Sequence, residues 1–377
     1  MKFIHLSDLH IGKRLNDFSL LADQEYILGK IINIIDEQQP QAVVIAGDIY
    51  DKSVPSAEAV MLFDSFLDKL KKRDLSVFII SGNHDSAERL SFGSEIMKDS
   101  GIYFSPVYNG EIAPITLNDE FGEVMFYMLP FIKPANVRKY FENEIESYND
   151  AVKTVVDNLD VDETKRNVMI THQFVTGAKR CDSEEFSVGG TENIDYRIFD
   201  KFDYVALGHI HSPQSVGRET IRYCGTPLKY SFSEVNNENS VTVVEMSEKG
   251  SINLCFIPLE PKREMREIKG SYLEVTEKSF YENLKTDDYF RIILTDEQDI
   301  IDAIGKLRVI YPNIMRIDYD NKRTRENNAV FVDENVKEKS PFELFSEFYE
   351  KQNNCEMNEE QAQYIKALIE SYGEEQN

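Results

Sequence analysis

Five times in its first 211 residues this chain runs through a short apolar stretch and stops on a loop carrying Asp, Asn or His. The loops read Ser7-Asp8-Leu9-His10, Gly47-Asp48-Ile49-Tyr50-Asp51, Gly82-Asn83-His84-Asp85, Thr171-His172 and Gly208-His209-Ile210-His211. The spacing predicts strands over Lys2–Ser7, Ala42–Ala46, Ser76–Ser81, Val124–Leu129, Asn167–Thr171 and Tyr204–Leu207. Val43-Val44-Ile45 and Val77-Phe78-Ile79-Ile80 are unbroken apolar runs, as strands covered on both faces require. Helical periodicity fills Ser19–Gln38 and Ser56–Lys72 between them. In the second helix Val60, Phe63, Leu67 and Leu70 are expected on the inner face. The alternation is that of an α/β layered sandwich. Ligands of open α/β sheets gather at the carboxyl ends of strands, so the five loops should converge.

The histidines sharpen this expectation. The chain has six, and five of them (His10, His84, His172, His209, His211) fall in these loops. The sixth, His5, lies inside the first strand. A lone histidine is ordinarily a satisfied structural residue; five at successive strand ends, interleaved with Asp8, Asp48 and Asn83, are a ligand set. Imidazoles, carboxylates and an amide oxygen without thiolates suit Mn²⁺, Fe²⁺ or Zn²⁺ and disfavour Ca²⁺ or iron–sulfur clusters. In Asp8-x-His10 and His209-x-His211 alternate residues of an extended backbone point the same way. Asp48 has two oxygens and can bridge two ions. Ions about 3.5–4 Å apart clamp a phosphodiester and activate a water between them. Gly47, Gly82 and Gly208 each precede a ligand and are expected to make tight turns.

The net charge of −25 cuts against a simple nucleic-acid binder, which gains affinity by releasing counterions from phosphates. An acidic protein still acts on phosphates when bound metals supply the positive charge, or when a partner holds the polymer. The candidate basic contacts are Lys13 and Arg14 after the first loop, Arg89 after the third, and Lys179 and Arg180 after His172. The four cysteines form no close pair, which removes zinc-finger and dithiol readings. No apolar run reaches membrane-spanning length, and the first residues turn polar too soon for a signal peptide. A reducing cytoplasm is the expected location.

Beyond His211 the pattern changes. Ser240–Glu245 and Ser251–Ile257 read as a hairpin around Glu248-Lys249-Gly250. From Lys262 to Asp333 strands are expected at Tyr272–Val275, Tyr289–Leu294 and Met315–Tyr319, with a helix near Gln298–Arg308. Near the C-terminus, Ser340-Pro341-Phe342-Glu343 and Asn358-Glu359-Glu360-Gln361 each open a helix. Phe342, Phe345, Phe348 and Tyr349 stripe the first, and Ile365, Leu368, Ile369 and Tyr372 the second.

Through D-x-H, G-D-x-x-D, G-N-H-D, H and G-H-x-H the chain resembles the calcineurin-like metallophosphoesterases. Gly47–Ser56, Ser187–Glu192 and Gly225–Phe232 resemble, within them, the SbcD-type nuclease subunits of bacterial SbcCD complexes. The resemblance implies a four-layer sandwich, two mixed sheets flanked by helices, over 1–260. It further implies a smaller α+β capping domain over 261–335 and a helix pair over 336–377. It implies a Mn²⁺-dependent nuclease for double-strand DNA ends and hairpins, a 3′–5′ exonuclease and single-strand endonuclease paired with an SbcC-type coiled-coil ATPase. Two nuclease chains would sit in a heterotetramer. Asp8, His10, Asp48 and His211 would hold one ion; Asp48, Asn83, His172 and His209 the other. His84 would be the catalytic, non-ligand histidine, oriented by Asp51. Phe345, Phe348, Tyr349, Ile365, Leu368 and Ile369 would dock on the ATPase. The metal motifs alone leave open a nucleotide or phosphoprotein hydrolase, or an adaptor that kept the fold without the chemistry.

Overall fold

The computed structural model describes residues 1–142, 144–179, 181, 193–298, 300–322, 341–353, 357–358, 361–365 and 368. Arg180, Ser187–Glu192, Ser340, Ile369 and Tyr372 lie outside the described residues. Two compact units are formed. One comprises Met1–Lys269, Leu273–Ile293 and Asp302–Asp318; the other comprises Gly270–Tyr272, Leu294–Ile301 and the described residues from Tyr319 onward.

The first unit is built on two six-stranded sheets. One joins, in spatial order, β14 (Ile252–Pro258), β13 (Ser240–Met246), β1 (Lys2–Leu6), β4 (Ala42–Ala46), β5 (Ser76–Ile80) and β6 (Ile102–Phe104). The other joins β11 (Gln214–Val216), β12 (Arg218–Tyr223), β10 (Tyr204–Gly208), β9 (Arg166–His172), β8 (Gly122–Leu129) and β7 (Ile115–Asp119). β1, β4 and β5 run parallel, as do β8, β9, β10 and β12; the antiparallel strands lie at the edges, so both sheets are mixed. A small hairpin, β2 (Arg14–Leu15) and β3 (Phe18–Ser19), follows the first loop. A further three-stranded sheet is made of β15 (Met265–Gly270), β16 (Tyr289–Leu294) and β17 (Ile314–Tyr319).

The apolar side chains fall into three layers. Phe3, Val44, Phe78, Phe126, Val168 and Tyr204 fill the space between the large sheets. Helices α1 (Leu21–Gln38) and α2 (Ala57–Lys71) cover the outer face of one sheet. Helix Tyr148–Asp157 covers the other, with Val152, Val155 and Val156 against Met169 and Val205. The result is the expected four-layer sandwich. Ser56 caps α2 through Ala59 N, as its position promised. Its inner face differs from the expected one. Val60 is 43% exposed, and Ala59 and Phe66 are buried beside Phe63, Leu67 and Leu70.

The expected strand at Tyr272–Val275 is a helix, Tyr272–Thr276. Its apolar alternation yields to local capping: Asp296 accepts from Tyr272 N at 2.7 Å, and the Tyr311 hydroxyl donates to Val275 O at 2.8 Å. The helix expected near Gln298–Arg308 is confined to Ala303–Leu307. In the second unit, helix Pro341–Asn353 is followed by a reciprocal cap, with Asn358 Oδ1 accepting from Gln361 N and Gln361 Oε1 from Asn358 N. Among the described residues no helix is long and apolar enough to cross a membrane.

His5 is buried in β1, with Nδ1 2.9 Å from the Tyr204 hydroxyl. Burial, helped by the charge of Arg222, pushes its pKa down to about 3. An unfolded histidine titrates near about pH 6.5, so below that value the unfolded chain binds a proton that the folded chain refuses. Stability from this group is therefore complete above about pH 6.5 and falls as pH falls towards about 3. His5→Gln should flatten that limb of the urea-stability curve, by roughly 3 kcal/mol between about pH 6.5 and 4. A curve parallel to the parent's would show that His5 takes no part.

Candidate metal centre

The ligand loops converge as the strand order requires. Asp8 N donates to Gly47 O and His10 N to Asp48 O, each at 3.0 Å, so the first two loops run side by side. His209 N donates to the Asp8 carboxylate at 3.0 Å, joining the two sheets. His84 N donates to Asp48 Oδ1 at 2.9 Å. Asp8, His10, Asp48 and His209 all have positive φ, a conformation that side-chain-bearing residues rarely adopt. Of the three glycines expected to turn, only Gly47 does so, at φ +85°. Gly82 and Gly208 serve instead by lacking a side chain: a Cβ would strike the Asp48 carboxylate at one and the Ala46 carbonyl at the other.

Asp48 Oδ2 is the hub. It lies 3.4 Å from His172 Nε2, 3.6 Å from His10 Nε2 and 4.0 Å from His84 Nε2. Asn83 Oδ1 is 3.0 Å from both His172 Nε2 and His209 Nδ1. Donor atoms of Asp8, His10 and His211, of Asp8, Asp48 and His172, and of His10, Asp48 and His84 each lie within 4.8 Å of one another. All seven expected ligands and His84 are therefore gathered in one place.

The donor set fits divalent cations. Both ring nitrogens of His10 are buried without a hydrogen-bond partner among the described residues, an arrangement costly unless a cation completes it. His172 gives Nδ1 to the Ala46 carbonyl at 2.8 Å, so its Nε2 faces the oxygens of Asp48 and Asn83. That geometry needs either a second proton or a cation on the ring. Burial opposes the proton, but the Asp48 charge prevails and pushes His172 up to about 9. Burial works on Asp48 the other way, and the His172 charge and hydrogen bond overcome it, holding the carboxyl well below its ordinary range. Asp8 is raised by burial, with the neighbouring charge of Asp48 adding to it. Burial drives His10 well below its ordinary value.

Two residues without an assigned role in the sequence complete the frame. Asp85 accepts from Ile49 N, Tyr50 N and Gly82 N, all at 3.0 Å, and so clamps the second and third loops together. Burial, then the charge of Asp48, pushes its pKa up to about 6. The final letter of G-N-H-D was its only signal. Glu234, fully buried, accepts from His211 Nδ1 at 3.0 Å. No motif or spacing marked it.

Asp51 meets His84 through its backbone: His84 Nδ1 lies 3.2 Å from Asp51 O. The Asp51 carboxylate pairs with Lys13 Nζ at 2.7 Å, so Lys13 has a partner inside the protein. Arg14 and Arg89 are exposed and bind the carbonyls of Asp17 and Ser53. Lys179 is exposed. On the C-terminal helices Phe345, Phe348 and Leu368 are exposed, whereas Tyr349 and Ile365 are half-buried.

Residues 1–213 match the calcineurin-like phosphoesterase family, and residues 261–353 match a type 5 capsule protein repressor C-terminal domain. The SbcD component of the SbcCD nuclease of Staphylococcus epidermidis is 34% identical over 374 residues, 98% of each chain. The chain belongs to the SbcD family of calcineurin-like phosphoesterases. It is accordingly a nuclease, a phosphodiester hydrolase with a divalent-metal site. Among solved structures, a dimetal phosphatase from Danio rerio is similar with a TM-score of 0.41 and 12% identity, over 69% of this chain and 99% of that one. GAP50 of Plasmodium is similar with a TM-score of 0.42 and 13% identity, over 69% and 85%.

A cation entering beside His172 must displace its proton. Metal affinity should therefore rise with pH up to about 9, with proton release near neutral pH. Titration calorimetry in buffers of different ionisation enthalpy measures this; a binding heat independent of buffer would refute it. Asp85→Ala strands three amide donors and should cost about 2–4 kcal/mol in urea unfolding.

Proposed function

We propose that this SbcD-family chain is a Mn²⁺-dependent DNA nuclease that trims double-strand ends 3′ to 5′ and cuts single strands and hairpins. The observation that carries the reading is the position of Asp48 Oδ2 between His10 and His172, with Asn83 joining His172 to His209. Asp8, His10, Asp48 and His211 would hold one ion; Asp48, Asn83, His172 and His209 would hold the other. Divalent ions bound there would supply polarisation of the phosphodiester and a lowered pKa for the attacking water. The set of imidazole and oxygen donors suits Mn²⁺.

The chain's own residues supply the remainder. Asp48 holds both halves of the centre in register. His84 stands at its open side, partly exposed, with Nδ1 donating to the Asp51 carbonyl. In its doubly protonated form the ring gives its Nε2 proton to the departing 3′-oxygen as the P–O bond breaks, and is left as the neutral Nδ1–H tautomer held by the Asp51 carbonyl. Asp51 orients that ring by its carbonyl and holds Lys13 by its carboxylate. Arg14, Arg89, Lys179 and Arg180 are candidate phosphate contacts.

Domains of 1–260, 261–335 and 336–377 are assigned to nuclease, cap and partner docking; the second family match begins at residue 261. The staphylococcal relative is named as one component of an SbcCD nuclease, which supports an SbcC-type ATPase partner. The exposed rings of Phe345 and Phe348, with Leu368, offer that partner an apolar face; Tyr349, Ile365 and Ile369 are assigned to the same docking role from the sequence pattern alone. Pairing of two nuclease chains is supported by exposed Phe92 and Ile96, at 85% and 81%. The complex would work in the cytoplasm, on the nucleoid.

The test uses the chain with its ATPase partner, Mn²⁺ and labelled hairpin DNA, with a nucleotide monoester as competing substrate. Hairpin cleavage is expected; cleavage of the nucleotide alone would sink the nuclease reading. His84→Ala should lower cleavage about 10²–10⁴-fold while metal content stays at the parent's level. Asp48→Ala should empty both ion sites.

A further inference from the structure

Glu234 is a fully buried carboxylate placed behind a ligand rather than among the ligands. A buried carboxylate is retained only where donors satisfy it. Two of its donors are the ring of His211, at Oε1, and Tyr230 N, 2.9 Å from Oε2. Tyr230 is also buried, and its hydroxyl donates to Leu9 O at 2.5 Å while accepting from Gln24 Nε2 at 3.1 Å. Gln24 Nε2 also donates to His10 O at 2.7 Å. The network thus runs from the last ligand loop to the first, and the rings of His10 and His211 stand edge to face, 5.1 Å apart.

A carboxylate on Nδ1 does three things to a histidine. It fixes the proton on Nδ1, leaves the Nε2 lone pair for a cation, and makes that lone pair more basic. The ion site served by His211 contains Asp8 and His10, whereas His172 is fixed by the Ala46 carbonyl. The carboxylate therefore acts on one half of the centre.

We infer that Glu234 is a positioning residue that sets the tautomer, angle and basicity of His211, and with them the affinity of the Asp8–His10–His211 ion site alone. This rests on the two-ion reading above. Glu234→Gln keeps an oxygen to accept the Nδ1 proton but loses the charge; Glu234→Ala loses both. Affinity for one of two Mn²⁺ ions should fall about 10-fold in the first variant and up to about 100-fold in the second. The other ion should bind as in the parent.

Mn²⁺ titration followed by calorimetry and by electron paramagnetic resonance reads this directly, because a spin-coupled ion pair disappears when one site empties. Tyr230→Phe separates positioning from stability. It cuts the hydroxyl link to Leu9 but leaves the Glu234–His211 bond, so melting temperature should fall while both affinities hold. Should Glu234→Ala fail to fold, Glu234→Gln alone still gives the answer. Equal weakening of both ions, or no weakening of either, overturns the inference while the parent still binds two ions. A parent that binds a single Mn²⁺ overturns the two-ion reading and this inference with it.

Discussion

Everything in the catalytic half of this molecule depends on how closely the two sheets approach at their carboxyl ends. The Ala46 carbonyl at the end of β4 accepts from His172 at the end of β9, and the Asp8 carboxylate accepts from His209 N just past β10. These bonds cross from one sheet to the other. They are possible because Gly208 presents no Cβ to the Ala46 carbonyl. Parallel pairing of β1, β4 and β5, and of β8, β9 and β10, puts these ends at one edge of each sheet. The inter-sheet core of Phe3, Val44, Phe78, Phe126 and Val168 then holds the edges together, so the ligand atoms gain their precision from hydrophobic packing at a distance.

The same closeness creates an electrostatic problem that only cations solve well. Two carboxylates, Asp8 and Asp48, and the rings of His10 and His172 are buried at one point. Burial and mutual repulsion push Asp8 towards its neutral form, and Asp48 stays ionised by borrowing a proton on His172. Divalent ions would replace that arrangement with one in which every donor is used. In a chain of net charge −25 they would also be the positive charge that meets a phosphate.

How much of this was legible in the sequence follows from the range of the forces involved. The candidate ligand set was legible because chemistry restricts the residue types and strand ends restrict their positions; Asp8, His10, Asp48, Asn83, His172, His209 and His211, expected together, lie together. Local capping was legible at Ser56 and at Asn358 with Gln361, since a cap bonds to its own first turn. What depends on distant contacts was not. Val60 has the right period for the core but points outward, because the packing surface on α2 is rotated towards Ala59 and Phe66. Tyr272–Thr276 alternates like a strand, yet Asp296 and Tyr311 cap it as a helix. Gly82 and Gly208 look like turn glycines, and only the neighbouring loops reveal that space is what they provide. Glu234 meets His211 across 22 intervening residues that set no period.

The backbone of the ligands shows why such supporting groups are needed. Asp8, His10 and Asp48 sit at φ of 51°, 44° and 49°, and His209 at 102°. Each such residue costs about 1–2 kcal/mol relative to an ordinary conformation. Four of them in three loops would relax if the loops were held only by their ends. Asp85 binds three amides of the second and third loops, Gln24 binds the Leu9 and His10 carbonyls of the first, and Glu234 holds the last. Strain at the ligands and carboxylate or amide clamps behind them are therefore one device. The clamps fix the loops in a conformation that the chain would not choose, and that conformation aims seven donors inward.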